Sequence, residues 1–292
     1  MTHRTARWRW EEHGKGGTPV LLIHGNSSCR DVFQHQLHAQ LAENYRFIAF
    51  DLPGHGQSSD APDPARTYTR PGLAEAAVEL LEKLRITQVV VLGWSLGGNI
   101  GIEMMHLFPG LLGLMITGAP PVGRSKIAEG FHAPPAMGAA GKSVLSIAEI
   151  EAFVQAILGD SAQPFLRDAV TRADPRFRKT LFEAARTGAG VDQRLVVESG
   201  PALLAVVNGG ADNIVNLDYF DTIAYANLWE GKWHRLRGLG HAPFWQGPRS
   251  FNPIFARFLR DVEIRHRLQI RSDRPHEASK RSNGPSDAAS AV

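Results

Sequence analysis

At 292 residues, 43% hydrophobic and 21% charged, the chain is long enough for one large α/β domain or two ordinary ones, and apolar enough to bury a full core. No apolar run approaches the roughly 18 residues of a membrane helix, the N-terminus lacks the apolar stretch of a secretory signal, and a single cysteine, Cys29, excludes an internal disulfide and a cysteine-based zinc cage. A soluble, cytoplasmic protein is expected. The net charge of +3 sits at one end: from Ile264 onward six cations (Arg265, Arg267, Arg271, Arg274, Lys280, Arg281) oppose Asp273, Glu277 and Asp287, so the remainder is neutral. That stretch is poor in apolar periodicity, which predicts a disordered basic tail over 264–292 rather than a nucleic-acid or membrane surface.

Taken in chain order, short apolar runs alternate with helical patterns. Val20–Ile23, Phe47–Phe50, Val89–Leu92, Leu112–Thr117 and Leu203–Val207 read as buried parallel strands. Between them, Val32–Leu41 and Leu73–Leu84 carry apolar residues at helical spacing, the second behind Pro71. Such alternation signals βαβ units and a mainly parallel sheet flanked by helices. One interval breaks the rhythm. Residues 119–200 open on Pro120-Pro121, pass through a Gly/Ala/Pro-rich stretch and turn helical around Ile147–Leu158 and Phe177–Ala185, without a convincing strand. This predicts an inserted helical cap, with the main domain formed by 1–118 and 201–263.

The chemistry-bearing residues lie where strands end. Val89-Val-Val-Leu-Gly93-Trp94-Ser95-Leu96-Gly97-Gly98 is a strand running into a helix with serine at the turn, in G-x-S-x-G spacing. Ser95 is the candidate nucleophile, Gly93 and Gly97 remove side chains that would clash, and the Leu96 N–H is a candidate oxyanion donor. The loop after the first apolar run, His24-Gly25-Asn26, offers the Asn26 N–H as the second donor and the Asn26 amide for substrate. His241, in the glycine-flanked Gly240-His241-Ala-Pro-Phe after the last strand pattern, is the candidate base. Asp212, the first carboxylate after Val206-Val-Asn208-Gly-Gly, is the candidate orienting acid, with Asp218 and Asp221 as alternatives. His24, Asp51 and His55 read as braces of tight turns, and Cys29 as an inert small residue. Neither a metal-ligand cluster nor a cofactor motif is visible, so metal-independent catalysis on a small-molecule substrate is expected. Trp94, Phe131, Met137, Phe153, Phe244 and Trp245 are candidate lining for an apolar substrate tunnel.

With these residues in place the chain resembles the α/β-hydrolase superfamily, through His24-Gly25, Asp51-Leu-Pro-Gly-His-Gly, Gly93-Trp-Ser-Leu-Gly and Gly240-His241. More particular strings are similar to the AidH-type N-acyl-homoserine lactone lactonases: His24-Gly-Asn-Ser-Ser28, Ile100-Gly-Ile-Glu-Met104, Leu114-Met-Ile-Thr-Gly118, Asn227-Leu-Trp-Glu-Gly-Lys232 and Gly240-His-Ala-Pro-Phe244. The resemblance implies an α/β-hydrolase fold with an inserted helical cap, a Ser-His-acid triad without metal, and quorum-quenching lactone hydrolysis. A carboxylesterase with the same triad is the alternative. Two departures stand out. Asp212 is one methylene shorter than the glutamate expected in those lactonases, and Phe153 falls near a cap tyrosine associated with ligand contact.

Overall fold

The computed structural model describes residues 7–14, 16–124, 126–132 and 135–281, with side chains for all of these except 135–137 and 273–281. All five apolar runs become strands. With two further strands they form one sheet: β1 (Arg9–His13), β2 (Pro19–Ile23), β3 (Arg46–Asp51), β4 (Val89–Trp94), β5 (Leu111–Thr117), β6 (Leu203–Gly209) and β7 (His234–Leu236). Their order is β1-β3-β2-β4-β5-β6-β7, with β1 antiparallel to β3 and the other pairs parallel. Strands covered on both faces need apolar side chains at every position, and Val89 through Trp94 are buried throughout. The two strands without an apolar run are the edges. β1 reads Arg-Trp-Glu-Glu-His and faces water, while β7 is only three residues long.

Helices of seven residues or more are numbered here as α1 (Arg70–Lys83), α2 (Leu96–Leu107), α3 (Ile147–Leu158), α4 (Pro164–Arg172), α5 (Pro175–Arg186), α6 (Gln193–Ser199) and α7 (Pro248–Arg281). Their starts follow from local chemistry. Thr69 accepts from Gly72 N–H, Ser146 and Glu149 form a reciprocal capping box, and Asp174 ahead of Pro175 accepts from Arg176 N–H. Between β5 and β6 the described residues form helices and turns, with a single bridge from Phe131 to Val215.

Two expectations are corrected. Val32–Leu41 is not one helix but a 3-10 turn (Arg30–Phe33), one helical turn (Gln34–Leu37) and another 3-10 turn (Gln40–Glu43). The cause is a competitor for the ladder: the His35 carbonyl accepts from Asn252 Nδ2 at 2.9 Å, and Ala39 turns extended. The stretch from Ile264 is also not unstructured as far as Arg281, because α7 runs through it. Phe251, Phe255, Phe258 and Val262 bury the first half of α7 against the sheet. A docked helix extends without a new nucleation cost, and Glu263 pairs with Arg267 one turn on. Residues 282–292 lie outside the described residues.

The turns after β2 and β3 are locked by two buried imidazoles. His24 Nδ1–H donates to the Gly25 carbonyl and Nε2 accepts from Leu52 N–H at 3.0 Å. His55 Nδ1–H donates to the Pro53 carbonyl and Nε2 accepts from Ser27 N–H at 3.2 Å. Asp51 accepts from Arg30 and from Gln57 N–H. These three residues therefore brace turns, as expected. Burial lowers the pKa of both histidines from the ordinary value, that of His55 well below it. The unfolded chain then takes up protons first as pH falls, so their contribution is intact above about pH 6.5 and is lost progressively below it. Urea unfolding at pH 7.5 and 5.5 should show this loss. His55→Gln, which keeps one donor and one acceptor, should flatten the slope; an unchanged slope would refute the assignment.

Candidate active site

Strand β4 hands over to α2 at Ser95, whose φ of 51° and ψ of −118° are unfavourable for any residue with a side chain. The turn holds because its neighbours leave no alternative. A Cβ on Gly93 would lie 2.3 Å from the Gly97 carbonyl oxygen, and one on Gly97 would lie 2.0 Å from that of Ile23. Ser95 N–H donates to the Thr117 carbonyl at 2.8 Å, pinning the bend to β5. The serine is half-buried and lines a cavity.

His241, on the loop after β7, donates Nδ1–H to Asp212 Oδ2 at 2.8 Å, and the carboxylate is fully enclosed. The other oxygen, Oδ1, accepts from Ile214 N–H at 2.8 Å and Val215 N–H at 3.2 Å. Burial alone would raise the Asp212 pKa. The His241 ring and the two backbone donors outweigh that and hold it below the usual carboxylate value. An ionised Asp212 fixes the Nδ1–H tautomer, leaving Nε2 as the basic nitrogen. Asp218 and Asp221, the alternatives, instead pair with Arg235 at the surface.

The ring is wedged as well as bonded. Trp94 Nε1–H donates to the His241 carbonyl at 3.0 Å. Gly118, at φ 61°, would carry a Cβ 2.7 Å from His241 Cε1. Gly118 N–H is held in turn by Asn208 Oδ1 at 2.8 Å.

The loop after β2 completes the set. A Cβ on Gly25 would come within 3.2 Å of Ser95 Cβ, so the backbone leading to Asn26 lies against the elbow. Leu96 is the first residue of α2, and its N–H has no carbonyl four residues back within the helix. Asn26, Ser95, Leu96 and His241 all line one cavity of about 610 Å³.

Of the aromatic residues expected to line it, Trp94, Phe131 and Phe153 do. Phe244 and Trp245 do not. Pro243 starts a helical turn that sends Phe244 into a stack with Phe33, Trp94 and Phe251, and Trp245 onto His35 and Phe165. The Met137 side chain lies outside the described residues. Lining that sequence reasoning missed includes Val122, Ile157, Leu181 and Ile214, with Arg70 and Asn99 as polar members. Ile157 was findable, because it lies one turn after Phe153 on the same face of α3. The Cys29 thiol is buried and its pKa is pushed up to about 12, which suits an inert residue. Among the described residues no three His, Cys, Asp or Glu side chains converge as a metal-ligand set, and no helix is long and apolar enough to cross a membrane.

A family model for the alpha/beta hydrolase family matches residues 20–253. Among solved structures, the N-acyl homoserine lactonase AidH complexed with N-butanoyl homoserine is 43% identical, with a TM-score of 0.86 over 88% of this chain and 94% of that one. A mutant of the same lactonase complexed with N-hexanoyl homoserine lactone gives the same identity and TM-score. An esterase from Exiguobacterium antarcticum, 18% identical over 87% of this chain and 96% of its own with a TM-score of 0.73, shares the fold. An uncharacterized protein of Mycobacterium tuberculosis is 26% identical over 85% of this chain and 76% of its own length.

Gly118 yields a direct check on the wedged ring. Gly118→Ala should displace the imidazole while leaving the sheet intact, and a misplacement of about 1 Å can lower turnover about a hundredfold. Steady-state hydrolysis of a p-nitrophenyl ester, with circular dichroism as the folding control, measures it; undiminished turnover would show the ring is not held from this side.

Proposed function

The chain belongs to the alpha/beta hydrolase family, and on that premise we propose that it is a serine lactonase that opens the ring of N-acyl-homoserine lactones. The observation that carries the reading is the buried Asp212–His241 hydrogen bond of 2.8 Å, with His241 lining the same cavity as the strained Ser95. The lactonase at 43% identity, crystallised with acyl-homoserine ligands, supports the choice of substrate. The predominantly apolar cavity wall suits an acyl chain.

In this reading His241 Nε2 takes the Ser95 proton as Oγ attacks the lactone carbonyl. Ionised Asp212 holds the ring and stabilises the imidazolium. The Asn26 and Leu96 N–H groups receive the developing oxyanion. When the C–O bond breaks, the ring oxygen leaves as an alcohol still tethered through the homoserine carbon chain, and takes its proton from His241. Water, deprotonated by the same imidazole, then attacks the Ser95 ester and releases the open-chain N-acyl-homoserine. No metal ion enters these steps. The helical segment 119–200 acts as a cap, supplying Phe131, Phe153, Ile157 and Leu181 to the acyl wall. A reducing cytoplasm and a quorum-quenching role fit this reading.

The test is hydrolysis of acyl-homoserine lactones of graded chain length, followed by mass. Each product should gain one water and reclose on acidification. Ser95→Ala should abolish turnover. Asp212→Asn, which presents the ring in the wrong tautomer, should lower kcat about 10⁴-fold. A strong preference for aryl esters over every lactone would replace the lactonase reading with a general carboxylesterase.

A further inference from the structure

Helix α5, within the proposed cap, buries an arginine that no carboxylate neutralises among the described residues. Arg178 is 3% exposed. Nε–H donates to the Lys142 carbonyl at 2.6 Å, Nη2–H to the Ser143 carbonyl at 2.9 Å, and Nη1–H to the Val170 carbonyl at 3.3 Å and to Ser27 Oγ at 3.0 Å. A guanidinium stays charged in proteins. An unpaired buried charge is expensive and survives only where its hydrogen bonds are satisfied or its field is used.

The Ser27 contact leads back to the candidate active site. Because Ser27 Oγ accepts from Arg178, its own proton is free to point elsewhere, and it goes to Asn26 Oδ1 at 2.9 Å. Asn26 Nδ2 then donates to the Ala140 carbonyl at 3.3 Å, in the 3-10 helix (Pro135–Gly141) that leads directly to Lys142 and Ser143. The hydrogen bonds close into a ring: Arg178, Ser27, Asn26, Ala140 and back to Arg178 through residues 142 and 143. Ser27 itself has φ 55°, a left-handed conformation that its N–H bond to His55 and its hydroxyl bonds help retain.

We propose that Arg178 is a positioning residue for hydrolysis: acting through the Ser27 hydroxyl, it fixes the orientation of the Asn26 carboxamide and so makes the polarity around the oxyanion site depend on the seating of α5. This rests on the reading of Ser95 as nucleophile and Asn26 as oxyanion donor. The relay moves no proton during turnover. It fixes which way the Asn26 carboxamide faces before substrate arrives, beside an N–H whose peptide plane the His24 bond to the Gly25 carbonyl already holds, and it sets an uncompensated positive charge two hydrogen bonds from Asn26, where negative charge develops in the transition state.

The experiment is a double-mutant cycle on the full chain, assayed with whichever ester or lactone it turns over fastest, and with active sites counted by a fluorophosphonate. Ser27→Gly removes the hydroxyl while easing the left-handed backbone, and Ser27→Ala removes it without that relief. Both should lower kcat per active site about tenfold, an order below the loss of a direct oxyanion donor, with KM changed less than twofold. In an Asn26→Ala background Ser27→Gly should cost nothing further. Arg178→Lys, which keeps the charge, should retain more activity than Arg178→Met. If either Arg178 variant fails to fold, the serine cycle decides alone. Unchanged kcat in Ser27→Gly, or an equal loss with and without Asn26, overturns the relay while leaving the lactonase reading standing. Full turnover by Ser95→Ala overturns both.

Discussion

The backbone between Gly93 and Gly97 is the constraint on which the site depends. A parallel strand at the centre of the sheet must become a helix within one residue, and it can do so only because the two flanking glycines allow carbonyls to approach where a Cβ would stand. The strained φ of Ser95 is held from β5 through the Thr117 carbonyl and from the β2 loop through close contact with Gly25. Neighbouring strands thus confine the bend, and the same strands end in the loops that bring His24, Asn26 and Gly118 alongside it. Ligand sites in open parallel sheets form at the carboxyl ends of strands for this reason.

Packing and polarity divide the labour around that bend. The His241 ring is gripped by the Asp212 carboxylate, by the close approach at Gly118 and by the Trp94 bond to its carbonyl. Each partner is itself fixed: Asp212 by two backbone donors, Gly118 by Asn208, and Trp94 by its edge-to-face contact with Phe244. Ordering a side chain on folding costs up to about 2 kcal/mol of rotamer freedom, and here that ordering has been met before any substrate binds. Little reorganisation is left for the reaction itself.

Much of this was legible in the sequence, for stated reasons. Continuous apolar runs announce strands buried on both faces, and Gly93-Trp-Ser-Leu-Gly97 is legible because few residue types tolerate that bend. β1 was not legible, because an edge strand with one wet face reads as a charged segment. Phe244 and Trp245 follow His241 closely in sequence, but the helical turn at Pro243 directs them into the core, which periodicity over so short a stretch does not reveal. The helical course of α7 beyond Ile264 depends on a neighbour already docked. Arg178 looks like any basic residue on an amphipathic helix, and only the tertiary fold shows that its surroundings are carbonyls and a hydroxyl.

Helix α5 is fastened to the sheet domain near its start. Asp174 N–H donates to the Gly54 carbonyl at 2.9 Å and its carboxylate accepts from Tyr68 at 2.5 Å, one turn before Arg178 reaches Ser27. The cavity-lining residues Phe153 and Ile157 sit on α3, whereas Leu181 sits on α5 itself. The same helix thus serves as a fixed post and, through Leu181, as part of the cavity wall. Changes of cavity shape made on α3 leave the clasp at Asp174 and Arg178 untouched, whereas those made at Leu181 fall on the clasped helix itself.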